Sequence, residues 1–399
     1  MPTSIDKLKN ALNIEDIGDN CLGCAACFSA CPRKAISMQE NTEGFLYPHL
    51  DPRLCVNCGK CSSVCPVTAD PGNNLSNKVF AGIHKDFSTW SSSASGGAFR
   101  ALCELYGDEN TYIAGAVFGK DGKNVEHRIV KGVSNASVFS GSKYVQSDMG
   151  DTLINVRALL KDGQKVIFSG VPCQIAGLRR FVADIKDKNL LTIDLICHGV
   201  GSRKVFRDYL TGIEKRYKSK ISDYKFRDKR IRFGVHHLYR MSALFENGKR
   251  ISSNDDAYTR CFLQTIVCRK SCFLCRFNDL TSESDITIGD FKKQYVKTDA
   301  PYDKNGSIII SHTPKGDALC SRLAEVMTMY PVDENAFDYP VHEKIGETRN
   351  AFFEEYVSKE NDIMDLLEKY GAKPSLKLKI WRCVPDKVRG IIKKLAASK

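Results

Sequence analysis

The chain has 399 residues, 42% of them hydrophobic and 27% charged, the balance of a folded globular protein rather than a disordered or fibrous one. Its net charge of +12 comes without helix-turn-helix or zinc-finger spacing, so no nucleic-acid partner is expected. No window approaches the ~18 uncharged apolar residues of a membrane span, and the first twenty residues lack a secretory signal's apolar core and cleavage site; seventeen cysteines without such a signal point to a reducing compartment, and the expected location is cytoplasmic.

Two runs near the start share the pattern C-x₂-C-x₂-C-x₃-C-P: Cys21, Cys24, Cys27, Cys31 and Pro32, then Cys55, Cys58, Cys61, Cys65 and Pro66. This is the spacing by which bacterial ferredoxins hold a pair of 4Fe–4S cubes, the fourth cysteine of each run ligating the other cube. Cys21, Cys24, Cys27 and Cys65 are therefore expected to hold one cluster, and Cys55, Cys58, Cys61 and Cys31 the second. A structural zinc pair also uses C-x₂-C, but it draws its sulfurs from separated knuckles and has no need of the x₃-C-P ending. A ferredoxin-type domain is expected over residues 1–68, with short strands at 35–38 and 44–47. Residues 69–78, rich in Pro, Gly, Asn and Ser, read as a linker.

From residue 79 the pattern alternates between apolar strands (79–83, 113–118, 165–169, 190–197, 286–289) and amphipathic helices (97–106, 151–161, 174–182, 203–217). Such alternation implies an α/β domain with a mostly parallel sheet. An antiparallel insertion is expected over 221–252, with a hairpin at Glu246-Asn247-Gly248-Lys249.

Two of the remaining cysteines follow strands directly: Cys173 in Gly170–Gln174 and Cys197 in Ile196–Gly199. Ligands of open α/β sheets bind at the carboxyl ends of strands, so both thiols belong to one rim. With the C-x₂-C pair Cys272 and Cys275 they make four ligands, enough for a third cubane; Cys268, in C-x₃-C-x₂-C with that pair, is an alternative ligand. The competing interpretation is plain core cysteine, a common small hydrophobe. Cys103, Cys261, Cys320 and Cys383 have no partner spacing.

Four segments carry a family resemblance: Ser93–Phe99 (SASGGAF), Ser142–Ser147 (SKYVQS), GVPCQIAG over 170–177 with IDLICHG over 193–199, and Arg269–Asp290 with its S-C-x₂-C and DITIGD. In these the chain resembles the coenzyme F-420 hydrogenase/dehydrogenase beta-subunit family, with a ferredoxin module fused in front. The resemblance implies a FAD and iron–sulfur domain over 79–370, a basic tail over 371–399, and hydride exchange with a deazaflavin or similar acceptor. It favours Cys173, Cys197, Cys272 and Cys275 for the third cluster, since the family's pattern does not usually have cysteine at the position of Cys268. Val171 stands where threonine is common in that loop.

The chemistry agrees. Iron–sulfur clusters change by one electron each, and hydride chemistry needs a converter, most often a flavin. No G-x-G-x-x-G follows a strand and no P-loop motif occurs. Ser95-Gly96-Gly97 opening a helix offers backbone N–H groups suited to a flavin pyrophosphate, or else caps the helix with small residues. Lys143, with Tyr144 beside it, is placed to hold a phosphate or a flavin ring oxygen, or else is a solvated lysine. Residues 215–250 hold twelve Lys/Arg against three acids, with Phe226, Phe233, Tyr239 and His236-His237 among them, which makes an anion groove or a solvated hairpin face. After Pro385, Val388, Ile391, Ile392 and Leu395 fall at helical spacing among lysines, a pattern for peripheral membrane or partner contact. The expected function is an iron–sulfur flavoprotein oxidoreductase taking electrons from a redox partner such as a ferredoxin and acting on an unidentified small molecule. The alternative is an electron-transfer adaptor within a larger complex.

Overall fold

The computed structural model describes residues 14–68, 78–185, 189–229, 240–277, 282–291, 306–332, 346–359 and 361–385, with positions 388, 391 and 392 beyond them. In the N-terminal module, strands β1 (Ile36–Glu40) and β2 (Leu46–Leu50) pair antiparallel, Ile36 opposite Leu50 and Glu40 opposite Leu46. Two short helices, Ala26–Ala30 and Lys60–Ser63, follow the cysteine loops. Each is entered through a left-handed residue, Ala25 at φ 61° and Gly59 at φ 70°. That turn bends the chain sharply between the second and third cysteine of each run, which is what lets three closely spaced thiols face one point.

The strands of the larger domain are β3 (Lys78–His84), β4 (Tyr112–Phe118), β5 (Val125–Lys131), β6 (Val166–Ser169), β7 (Leu190–Leu195), β8 (Ile221–Lys225), β9 (Met241–Phe245), β10 (Arg250–Ser253), β11 (Ile286–Asp290), β12 (Ser307–Ser311) and β13 (Met327–Tyr330). Eight form one sheet in the order β13-β3-β12-β11-β7-β6-β4-β5. Its centre, β11-β7-β6-β4, runs parallel, and the flanks pair antiparallel. Five of the eight strands point one way, as the βα alternation requires. The period of two assigns the faces. Ile113, Ile167 and Leu191 pack with Leu102 on one side of the sheet. Ala114, Val166, Phe168 and Leu190 pack with Leu153, Ile175 and Leu178 on the other.

The expected insertion is a separate antiparallel sheet, β10-β9-β8. The Asn247-Gly248 turn joins β9 to β10, with Gly248 at φ 79°. Helix Arg203–Tyr217 keeps its expected ends, because Ser202 caps it by accepting from the Val205 amide at 3.1 Å. The helix expected over 174–182 starts earlier, at Pro172, where the Gln174 side chain accepts from the Val171 amide at 3.0 Å. Strands β5, β12 and β13 and the helices Glu347–Ser358 and Ile363–Tyr370 complete the domain without having been expected. Phe233, His236, His237, Tyr239 and nearly all of the expected linker lie outside the described residues.

The ferredoxin module is built into the larger domain rather than tethered to it. Phe45 is buried in one core with Val145, Val205, Phe206 and Phe353, while Cys24, Ala25 and Ala26 share another with Met149, Leu153 and Ile175. Fully buried Arg269 donates to Cys21 O at 2.7 Å and Leu46 O at 2.9 Å, with its guanidinium 3.8 Å from the Tyr47 ring centre. Arg207 grips Glu40 through both oxygens, and Arg349 does the same to Glu43.

Candidate functional site

The three thiol sets can be followed from the surface inward. Cys31, Cys55, Cys58 and Cys61 all line one small recess of the ferredoxin module, where Cys58 is exposed. Cys21, Cys24, Cys27 and Cys65 form the next group. Burial and then the charge of Cys65 push the Cys24 thiol up to about 12, while Cys27 is raised by burial and by Cys24, Cys21 and Cys65. Both groupings cross between the two runs, Cys31 joining the second run and Cys65 the first.

The third group draws on the large domain. Cys173 lies in the first turn after β6, Cys197 just beyond β7, and Cys272 and Cys275 at the short helix Lys270–Leu274. Burial raises the Cys173 thiol well above its ordinary value, helped by the charges of Cys275, Cys24, Cys197 and Cys272. Cys197 is raised by burial and by Cys272 and Cys275. Cys268 sits beside this group, its Sγ next to Cys272 at Gly199. Its thiol is fully buried and feels Cys272 and Cys197, but its Sγ faces Phe262 O at 3.8 Å.

The donor sets fit 4Fe–4S cores. In the two inner sets, burial and neighbouring thiols raise the proton affinity of Cys24, Cys27, Cys65, Cys173 and Cys197, which need a positive core to become thiolates together. Amide N–H groups already point at the sulfurs. Gly23 N donates to Cys21 Sγ, Asn57 N to Cys55 Sγ and Gly199 N to Cys197 Sγ, each at 3.4 Å. In these three the donor is two residues on and left-handed, at φ 71°, 52° and 118°, while Ala35 N donates to Cys31 Sγ at 3.2 Å from four residues on. Cys197 thus repeats the knuckle of the first cysteine in both runs. Among the described residues Gln146 Nε2 and Arg269 Nη2 are buried donors without a partner. Both side chains press on Gly23, where a Cβ would meet Gln146 Nε2 at 2.3 Å and Arg269 Nη1 at 3.2 Å.

Beyond Cys197 the carboxyl ends of β6, β7 and β11 open into a cavity of 610 Å³. Ser95, Gly97, Lys143 and Tyr144 line it, as does Cys197 itself. Gly96 does not. Its N–H, expected to be free for a ligand, donates to Ser307 Oγ at 2.8 Å, and a Cβ there would lie 2.3 Å from Gly82 O and Ser307 N. Glycine is needed at 96 because two backbones meet. Lys143 is not a solvated lysine. Its ammonium donates to Phe139 O and Ser140 O at 2.9 and 3.1 Å, and burial pushes it down to about 8. Tyr144 stacks on Phe262 with ring centres 4.6 Å apart.

Other lining groups carried little sequence signal. His127 stands on β5, its Nε2 3.2 Å from Ser169 O and its ring stacked on Phe168. Burial, opposed by the Ser169 carbonyl, pushes its imidazole down to about 4, so it is neutral at physiological pH. Arg227, from the basic insertion, pairs with Asp290 at 2.8 Å on the cavity wall. Lys229 donates to Trp90 O at 2.7 Å and to Ser95 O, bracing the Ser-Gly-Gly turn, and burial pushes it down to about 7. In the tail, Leu376 and Ile380 of helix Leu376–Cys383 and Val388, Ile391 and Ile392 are exposed. Among the described residues no helix is long and apolar enough to cross a membrane.

Comparison with known proteins gives two domain matches. Residues 20–69 match the family model of the 4Fe-4S dicluster domain, and residues 163–334 match the model for the carboxyl-terminal part of the coenzyme F420 hydrogenase/dehydrogenase beta subunit. The chain is 38% identical over 58 residues to the ferredoxin-type protein NapF of Escherichia coli, covering 13% of this chain and 35% of that protein. It is 25% identical over 190 residues to an F(420)H(2) dehydrogenase subunit of Methanosarcina mazei, covering 45% of this chain and 53% of the relative. It therefore spans about a third of the first relative and about half of the second. A chain of the F420-reducing [NiFe] hydrogenase complex from Methanosarcina barkeri aligns over 75% of this chain and 93% of its own length, at 17% identity and a TM-score of 0.45.

Proposed function

The chain joins a 4Fe-4S dicluster domain to a domain of the coenzyme F420 hydrogenase/dehydrogenase beta-subunit family, and from that premise we propose that it is an iron–sulfur flavoprotein oxidoreductase. Electrons enter through the dicluster domain. Cys173, Cys197, Cys272 and Cys275 hold a third cluster, and the cavity holds FAD beside an organic substrate. The observation that carries this reading is Cys24 within electrostatic reach of Cys173, whose group extends to the cavity wall at Cys197. The first cysteine loop, through Leu22 O 4.0 Å from Cys173 Sγ, thus adjoins the thiol group that reaches the 610 Å³ cavity.

When bound, the flavin supplies the conversion between single electrons and a hydride. The chain's residues prepare its surroundings. Lys143 offers a partly buried positive donor for a ring oxygen or phosphate, and Arg227 a second cation on the wall. His127 holds a neutral ring beside Lys143 and so does not compete with it for anionic groups. Gln146 and Arg269 present unpaired donors to the first-run loop, where cluster sulfur supplies the missing acceptors.

An anaerobic titration tests this. The reconstituted chain is reduced stepwise by a low-potential ferredoxin while absorbance near 450 nm is followed. Flavin bleaching after the clusters, reversed by a candidate hydride acceptor, is the expected result. A reconstituted chain that takes up iron but no flavin would leave only the adaptor reading.

A further inference from the structure

Among the cysteines of the three thiol groups, Cys58, grouped with Cys31, Cys55 and Cys61, is exposed, while Cys21 of the next group and the four of the third are partly buried. Cys24, Cys27 and Cys65 of the next group are buried, and Cys173 lies beneath it against Leu22 O. The recess over the outer group has an apolar edge at Val56, 58% exposed, and Leu54, two residues before it in the chain, is 44% exposed. Its charged lining is cationic: among the described residues Arg33 and Lys60 line it and no acid does. Lys34, next in the chain, is exposed as well. The nearby Asp51 is neutralised, because Arg53 takes both of its carboxylate oxygens at 3.0 and 2.8 Å.

A small apolar ledge with cations at its rim over a redox centre, the carboxylate of Glu15 being held at the Leu50 amide at 3.0 Å, has the makings of a transient docking face. Electron-transfer encounters are the small end of protein interfaces, below about 1,200 Å², and depend on charge more than on buried area. The sign of the ring selects the partner.

We propose that the ledge formed by Arg33, Lys34, Val56 and Lys60 around exposed Cys58 is the docking face for a small acidic one-electron carrier protein. This rests on the outer thiol group holding a cluster. One electron passes from the reduced carrier to that cluster, leaving the carrier oxidised by one electron and the cluster reduced by one, with no bond made or broken. Arg33 and Lys60 act by drawing the carrier in and orienting it.

The test is anaerobic stopped-flow reduction of the reconstituted full chain by a reduced acidic two-cluster ferredoxin, from 20 to 500 mM NaCl, settings chosen to span strong and weak screening, about 20 to 4 Å of Debye length. The second-order rate should fall at least about tenfold across that range. The double variant Arg33→Glu/Lys60→Glu should lower the low-salt rate about tenfold and flatten the salt dependence. Arg33→Gln/Lys60→Gln should fall between. Reduction by dithionite and the iron content should not change. A wild-type rate indifferent to salt, or a charge-reversed chain with full iron and the wild-type rate, would overturn the proposal. Failure of the underlying cluster reading shows differently, as iron missing from the wild-type chain before any kinetics, and overturns both.

Discussion

Cys197 and Cys268 feel each other's charge, yet their surroundings divide their roles. Cys197 receives the Gly199 amide on its sulfur and lines the cavity, whereas Cys268, also beside Cys272, is fully buried and does not line it. Cys197→Ser should therefore lose one cluster, about four irons, and keep the dicluster EPR signals, while Cys268→Ser should keep all its iron. Lys143 gives a pH prediction. Its folded value is lowered from 10.5 to about 8, so the folded chain releases that proton while an unfolded one still holds it. The charge costs stability below pH about 8, and the cost lifts as pH rises from there toward 10.5. Binding that uses the ammonium runs the other way. FAD affinity, followed by flavin fluorescence, should weaken above pH about 8, by up to about tenfold per unit, and Lys143→Gln should bind more weakly and without that break.

At the scale of elements, the joint between module and domain sets what can reach what. Arg269 spans it with two hydrogen bonds from a charged group, each worth about 1.5–3 kcal/mol, so Arg269→Met should lower stability by about 3 kcal/mol or more in chemical unfolding. Helix Pro172–Phe181 crosses the module's first helix at Gly177, where a Cβ would touch Cys24 Sγ and Ala26 Cβ at 3.0 Å. Gly177→Leu forces further carbons into that seam, at about 1–3 kcal/mol. It should slow electron passage from the dicluster to the third cluster, seen as a lag in flavin bleaching with full iron content. Unchanged transfer would mean that the seam is not the route. The helices and central strands here were legible because their signals are local: the apolar period of Leu190–Leu195, the Ser202 cap, the Asn247-Gly248 turn. Strand β13 has four residues, and β5 alternates around charged side chains, so neither stands out from coil without its neighbour across the sheet.

For the molecule as a whole, the cysteines were the most readable part of the site. Cluster ligands come in short fixed spacings, and strand ends are visible as the close of apolar runs. His127, Gln146, Arg227 and Arg269 were not readable, because their meaning lies in contacts with residues distant in sequence. Leu46 N, for example, donates to Gln146 across 100 positions, and Arg269 meets Cys21 across 248. The Gly96 amide misled for the same reason, since the strand that occupies it, at Ser307, lies 211 residues on. What emerges is a series of three thiol groups between an exposed ledge and the cavity at the strand ends. Counting iron, acid-labile sulfide and flavin per chain after anaerobic reconstitution tests that series most directly. About twelve irons with matching sulfide and one FAD are predicted; about eight irons and no flavin would contradict it.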